Sequence, residues 1–443
     1  MDSAPMDSAT WLKRDAASVW HPFTQHSAWL DDEPTVVDRA EGPWLIDVDG
    51  NRYLDGVSSL WVTTFGHRTP EIDDAIRAQL DKLDHSTFLG ATHVPGIELA
   101  ERLLATAPTG EGPVLSKVFY AGDGSSAVEV ALKMAYQSSV QSGRARPLFV
   151  HLREAYHGDT LGAVSVGGME LFHATYRPLL LKTLTVSSPG IRVEGQSAQE
   201  RAAEVVAELT GVLAERGREV CAIVVEPMVQ AAGGMLTYHA DFLRAARRLA
   251  TQHGTLLICD EVATGVGRTG TMWASEHAGI VPDLLTCGKG LTAGYLPLSA
   301  VLATDEVYES FLGESGRTLF HGHTFTANPL CCAAANANLD LVASRGLVAQ
   351  AAALGERLGE LLAPWENDDR VREIRRIGTM TGVEVRSTGE RTGAAVCRAA
   401  RRRGVWLRPL GDTVVLMPPL ALGPDETDLL VGALSEAIDE VVR

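Results

Sequence analysis

A lysine between two glycines, Gly288-Lys289-Gly290, follows the short apolar run Asp283-Leu284-Leu285-Thr286-Cys287, and an aspartate, Asp260, ends the preceding run Leu256-Leu257-Ile258-Cys259. As neighbouring buried strands, these runs would present a carboxylate at one strand end and an amine just past the other. An amine that condenses with an aldehyde, beside a carboxylate that pairs with a protonated pyridine nitrogen, is what pyridoxal 5'-phosphate demands. The small residues at 288 and 290 let such a cofactor come close to the backbone. Its phosphate needs a cradle, and Gly122-Asp123-Gly124-Ser125-Ser126 opens a helical pattern through Val128, Ala131, Leu132 and Met134, whose free first-turn amides suit an anion. Asp123 fits a plain helix N-cap as well.

The elements that must position these groups are read from periodicity. Between residues 80 and 330, helical patterns alternate with the apolar runs Val118-Phe119-Tyr120, Leu148-Phe149-Val150, Ala222-Ile223-Val224-Val225 and Leu256-Leu257-Ile258-Cys259. These predict buried parallel strands with helices between them, an α/β layer architecture. The runs end in Ala121-Gly122-Asp123, Arg153-Glu154-Ala155-Tyr156-His157, Glu226-Pro227 and Asp260-Glu261. Ligands of open parallel sheets sit at carboxyl strand ends, so these endings should converge. The last third predicts a long helix over 329–351, short strands around Val383, Val405 and Val414, and a helix over 425–442, together a smaller α+β domain. The alternating stretch Pro43-Trp44-Leu45-Ile46-Asp47, leading into Asp49-Gly50-Asn51, predicts a strand and turn that pack with it. The expected domains are residues 1–65 with the small domain, 66–330 as the large cofactor-binding domain, and 331–443 as the small domain. Arg401-Arg402-Arg403 reads as a solvated helix end.

Composition limits the partners. Of 443 residues, 45% are hydrophobic and 21% charged, a globular balance for two or three domains. With 56 acidic against 39 basic residues the formal charge is -17, which repels nucleic acid and anionic lipid and favours a small-molecule partner. Six cysteines without C-x-x-C spacing, no signal-length apolar segment and no run of about 18 apolar residues predict a soluble cytoplasmic protein. His321 and His323 have no carboxylate or cysteine at ligating spacing, so no metal is expected. The repeat of Met-Asp-Ser-Ala at residues 1 and 6 points to a start-site ambiguity or a loose tail within the first 19 residues.

Gly265-Val266-Gly267-Arg268-Thr269-Gly270 formally matches a dinucleotide fingerprint. That fingerprint should begin at the strand end and be followed by an acidic residue about 20 positions on, whereas Asp260-Glu261 occupies the strand end and Asp283 comes too early.

These motifs resemble the class III, fold type I pyridoxal phosphate aminotransferases from about Trp20 to Val442, through D-E-V-A-T-G-V-G-R-T-G at Asp260 and G-K-G at Lys289, 29 positions later. W-H-P-F-T at Trp20, S-S-L-W at Ser58, Y-H-G-D-T at Tyr156, V-Q-A-A-G-G-M at Val229, H-G-H-T-F at His321 and W-L-R-P at Trp406 are similar to the biotin-pathway 7,8-diaminononanoate synthases. The resemblance implies conversion of 8-amino-7-oxononanoate to 7,8-diaminononanoate, with another class III aminotransferase of ω-amino acids or diamines using pyruvate as the alternative. It implies Lys289 as the covalent attachment point and proton carrier, Asp260 as partner of the ring nitrogen, and Tyr156 against the ring with His157 and Glu226 nearby. Gly124 and Ser125 would bind the phosphate together with Thr324 from a second subunit, which implies a homodimer with its active sites at the subunit interface. Phe23, Leu60, Trp61, Arg268, Gly322, His323 and Arg408 would form the substrate pocket, with Arg408 gripping the substrate carboxylate. Members that take their amino group from S-adenosylmethionine tend to carry tyrosine, tryptophan and proline where this chain has Phe23, Leu60 and His323. Loss of an aromatic wall weakens the fit to a sulfonium and adenine. The same positions resemble the branch that uses L-lysine, which is the expected donor.

Overall fold

The computed structural model describes residues 7–443; the first Met-Asp-Ser-Ala copy and Met6, which opens the second, lie outside the described residues. The chain divides into a larger unit, Pro70–Glu356 with Arg375–Thr381, and a smaller one, the described residues up to Thr69 with Arg357–Ile374 and Gly382–Arg443.

The larger unit is built on a seven-stranded sheet in the order Leu115–Ala121, Ser299–Thr304, Leu284–Cys287, Leu256–Asp260, Val220–Val225, Leu148–Leu152, Thr183–Val186. All neighbours pair in parallel except Ser299–Thr304, which runs antiparallel to both of its neighbours. The central strands are apolar along their whole length because both faces are covered. Alternate residues separate accordingly: Val150, Ile223, Val225, Leu257 and Cys259 enter a core that includes Val205, Leu209, Phe242 and Ala246 of helices Ala198–Arg216 and Ala240–His253. Phe149, Ala222, Val224 and Ile258 enter the opposite core with Val128, Ala131 and Ala135 of helix Gly124–Gln141. The α/β architecture with a mostly parallel sheet is thus as the alternating pattern predicts.

Two expectations differ in detail. The predicted helix over 329–351 is two helices, Pro329–Ser344 and Leu347–Leu362, broken where Gly346 takes a left-handed φ of 60°. The small domain is expected to begin at residue 331, whereas the larger unit runs on to Glu356. The reason is packing: Pro329–Ser344 lies against helices Pro70–Leu80 and Val94–Ala105, and its Cys332, Ala335 and Leu339 share a core with Leu99 and Leu103.

In the smaller unit, strands Val37–Glu41, Trp44–Asp47 and Arg52–Asp55 form an antiparallel meander, and Val405–Trp406 joins Arg52–Asp55 in parallel. Asp47 ties the predicted turn by accepting from the amides of Asp49 and Asn51, the Asn51 side chain and the Tyr53 hydroxyl. Helices Thr392–Arg402 and Pro424–Val441 pack together. The arginine run at 401–403 is not merely solvated. Arg401 donates to the Asp32 carbonyl, Arg402 pairs with Glu440, and Arg403 pairs with Glu436 and Glu440. Among the described residues no helix is long and apolar enough to cross a membrane. All six cysteines are buried free thiols.

Candidate active site

Parallel pairing aligns the carboxyl ends of the central strands, and the chemistry collects there. Asp260, 6% exposed, is the last residue of its strand. Its Oδ2 accepts from His157 Nδ1 at 2.7 Å, and its Oδ1 accepts from the Thr286 hydroxyl at 3.0 Å and the Val262 amide at 3.1 Å. Burial alone would make His157 harder to protonate, but the hydrogen bond and charge of Asp260, with the charge of Glu226, raise its pKa above the ordinary histidine value. The other ring nitrogen, Nε2, is buried and meets no partner among the described residues.

Glu226 ends the neighbouring strand's run and joins two loops: its carboxylate accepts from the Tyr156 amide at 3.1 Å and the Ala231 amide at 2.9 Å. Burial pushes this carboxyl up to about 7, against the lowering influence of His157 and the two amides. A carboxyl raised in the folded state keeps its proton after the unfolded chain has lost it, so stability falls as pH rises. The window runs from the ordinary 4.5 to about 7. Glu226→Gln is therefore expected to gain stability relative to the unsubstituted, cofactor-free protein across this window, by up to about 3 kcal/mol. Urea denaturation at a series of pH values reads this, and parallel curves would contradict it.

Lys289 follows strand Leu284–Cys287, caps no helix, and holds a left-handed φ of 46° in a short 3-10 turn over Lys289–Thr292. Backbone strain of this kind at a non-glycine residue concentrates at functional sites. Burial lowers the lysine pKa, and the charge of Arg268 adds to this, while Asp260 and Glu226 oppose it. Arg268 is itself only 2% exposed, on a loop whose backbone is held by Thr379, which donates through its amide and its hydroxyl to the Arg268 carbonyl, each at 3.0 Å. The glycines 265, 267 and 270 serve this loop's turns and do not open an α-helix, which agrees with setting aside the dinucleotide reading. A Cβ at Gly265 would lie 2.7 Å from the Trp273 ring.

The expected phosphate cradle lies at the start of helix Gly124–Gln141. Asp123 does cap it, accepting from the Ser126 amide at 2.9 Å and the Ser126 hydroxyl at 3.0 Å. This leaves the amides of Gly124 and Ser125 as first-turn donors with no partner inside the helix. The Ser125 hydroxyl accepts from the Asp159 amide at 3.0 Å, bringing the Tyr156-His157-Gly158-Asp159 turn onto the same helix start. Gly158, at a φ of 117°, is needed for that approach, because a Cβ there would lie 2.0 Å from Ser125 Oγ. Gly158→Ala should weaken pyridoxal phosphate binding by about 1–3 kcal/mol. Titration of the cofactor-free protein checks this, and an unchanged affinity would contradict it.

The Tyr156 hydroxyl donates to Asp159 Oδ2 at 2.8 Å, and its ring meets Phe172 edge-on at 6.0 Å. Burial, then the hydrogen bond to Asp159, raises its pKa above the ordinary phenol range. His323 lies against Gly122, where a Cβ would be 3.4 Å from its Cε1. Gly322 and Thr324 lie on the same exposed stretch. Phe23, Leu60, Trp61 and Arg408 belong to the smaller unit. There, Asp55 accepts from the Ser59 amide at 2.8 Å and the Ser59 hydroxyl at 2.9 Å, holding a turn in which Ser58, Ser59 and Trp61 all have left-handed φ. That turn leaves Leu60 48% exposed and Trp61 7%. Phe23 and Arg408 are exposed. Thr286, Asp159 and Glu261 were not among the predicted site residues. Glu261 accepts from the Thr264 hydroxyl and from the amides of Ala274 and Ser275, tying down the loop that carries Arg268. Each sits within or beside a motif read from sequence, but only the strand register and loop closure reveal what it contacts.

Together these residues offer a buried amine, a carboxylate set among donors and an anion cradle, a set that fits pyridoxal phosphate. The class III aminotransferase family matches residues 27–438. An adenosylmethionine-8-amino-7-oxononanoate aminotransferase of Nitratidesulfovibrio vulgaris is 49% identical, over 97% of this chain and 81% of that protein. One of Geobacter sulfurreducens is 44% identical over 98% of each. Among solved structures, that of an adenosylmethionine-8-amino-7-oxononanoate aminotransferase from Methanocaldococcus jannaschii superposes with a TM-score of 0.92 at 37% identity, covering 98% of this chain and 100% of that one. An (S)-enantioselective omega-transaminase from Thermomicrobium roseum gives 0.93 at 32% identity, covering all of both chains. With its match spanning nearly the whole length, the chain belongs to the class III aminotransferases.

Proposed function

We propose that this protein is a pyridoxal phosphate-dependent aminotransferase that converts 8-amino-7-oxononanoate to 7,8-diaminononanoate in biotin biosynthesis. The observation that carries the reading is the buried Lys289 whose charge balance is set by Asp260 and Glu226, in a chain 49% and 44% identical to aminotransferases named for that keto acid. When bound, pyridoxal phosphate supplies an aldehyde for amines and a protonated ring that withdraws electrons. Lys289 provides the amine at which the cofactor is held and, once released, the base that takes a proton from one substrate carbon and returns it to another position. Burial, by disfavouring its charged form, makes the neutral amine available. Asp260, fixed by His157, Thr286 and Val262, presents a carboxylate to the ring nitrogen. Gly124 and Ser125 bind the phosphate through first-turn amides, and Tyr156 flanks the ring. Arg408 grips the substrate carboxylate, and Phe23, Leu60, Trp61, Arg268, Gly322 and His323 are substrate residues in this reading. Thr324 completes the phosphate site of a second subunit, so the working form is a homodimer, located in the cytoplasm.

The relatives are named for adenosylmethionine, whereas Phe23, Leu60 and His323 favour L-lysine as donor. Following the visible absorbance of the bound cofactor decides between them. L-lysine should bleach it and 8-amino-7-oxononanoate should restore it. Bleaching by S-adenosylmethionine alone would overturn the lysine assignment. The likeness to the Thermomicrobium omega-transaminase gives the second reading, an ω-amino acid or diamine aminotransferase. Restoration by pyruvate but not by the keto acid would select it.

A further inference from the structure

We infer that Thr286 is a positioning residue for the reaction: its hydroxyl, paired with the Val262 amide on one oxygen of Asp260, sets the orientation in which that carboxylate meets the cofactor. The inference rests on the pyridoxal phosphate reading and goes beyond it to a residue on a different strand. Asp260 and Thr286 are register partners across the parallel strands Leu256–Asp260 and Leu284–Cys287. Thr286 contributes twice at that point. Its carbonyl accepts from the Glu261 amide at 2.9 Å, which fixes the backbone just past Asp260, and its hydroxyl donates to Asp260 Oδ1 at 3.0 Å. Val262 donates to the same oxygen at 3.1 Å, while His157 holds Oδ2 at 2.7 Å. Two donors on one oxygen and one on the other stop the carboxylate from turning about its Cβ–Cγ bond, and the lone pairs not used are those left for a ligand. Thr286 is 0% exposed and Asp260 6%, so water does not replace a missing donor. The threonine also sits three residues before Lys289 and one before the strand's last residue, Cys287, so the same short segment that delivers the amine also aims the carboxylate.

Thr286→Val keeps the branched shape and removes the donor; Thr286→Ser keeps the donor and removes a methyl group. The measurements are pyridoxal phosphate affinity of the cofactor-free protein and the pH midpoint of the bound cofactor's visible absorbance, with the melting temperature of each variant as a check on folding. With a less firmly aimed Asp260, the ring nitrogen holds its proton less well and the Lys289 nitrogen becomes more basic. Thr286→Val should therefore move the midpoint upward by about half a unit or more and weaken affinity about tenfold, a loss expected for a hydrogen bond to a charged group. Thr286→Ser should restore both to near the wild-type values. An unmoved midpoint in Thr286→Val, or a shift equally large in Thr286→Ser, overturns the inference. The wild-type titration separates this from the underlying reading, because a wild-type protein that takes up no pyridoxal phosphate would refute the cofactor assignment itself.

Discussion

Lys289→Ala is expected to lose turnover by about four orders of magnitude, the upper range for removing a positioned proton carrier, while still folding. Its carboxylate neighbours already hold partners. Asp260 is engaged by three donors, and Glu226 by the amides of Tyr156 and Ala231. His157 is committed through Nδ1 to Asp260. The fold should survive because alanine removes an amine whose charged form burial disfavours, leaving a space but no buried charge. A steady-state assay reads the turnover, the melting temperature reads the fold, and borohydride reduction of the cofactor-loaded protein reads the loss of the covalent attachment point. Turnover within tenfold of the unsubstituted enzyme, or a cofactor adduct still fixed by borohydride, would contradict it.

The second large effect is expected at Asp260. Asp260→Asn keeps the shape but removes the charge and turns one acceptor into a donor, so one side of the group no longer accepts as the carboxylate does. Breaking a buried charged pair from one side costs about 3–5 kcal/mol of stability, and losing the charge presented to the ring nitrogen should lower activity by roughly 10²–10³-fold, the range for removing one preorganised charge-stabilising group. The histidine gives an independent readout. With the carboxylate gone, burial dominates, and His157 should move from above the ordinary histidine pKa to below it. A ring-nitrogen NMR titration measures the shift, and a His157 that still titrates above the ordinary value would refute the assignment of its partner.

What the sequence made legible follows from which signals are local. Lys289, Asp260, Tyr156, His157 and Glu226 all sit just past apolar runs, and parallel strands must bring such ends together, so their convergence could be read from order alone. The same logic placed Gly124 and Ser125 at a helix start. Ser299–Thr304 was not anticipated, because a buried antiparallel strand of Ser-Ala-Val-Leu-Ala-Thr has the same apolar character as its parallel neighbours. In the sequence Thr286 looks like any strand residue, since its role depends on a register that only pairing with Asp260 fixes. The helix break at Gly346 and the packing of Pro329–Ser344 on the larger unit depended on tertiary contacts: an alanine-rich stretch such as Ala333-Ala334-Ala335 suits any close helix interface and names none. Arg401 and Arg403 looked solvated because their acidic partners, at 32–33 and 436–440, are remote in sequence.

In the proposed reaction an amino group passes through this site onto C7 of 8-amino-7-oxononanoate. The direct test loads the enzyme with pyridoxal phosphate, converts it with nitrogen-15-labelled L-lysine, removes the donor and adds the keto acid for a single turnover, with mass spectrometry of the product. The expected product is 7,8-diaminononanoate carrying one labelled nitrogen, in an amount matching the active sites. Label that stays on the enzyme with the keto acid, and leaves as alanine when pyruvate is added, would contradict it.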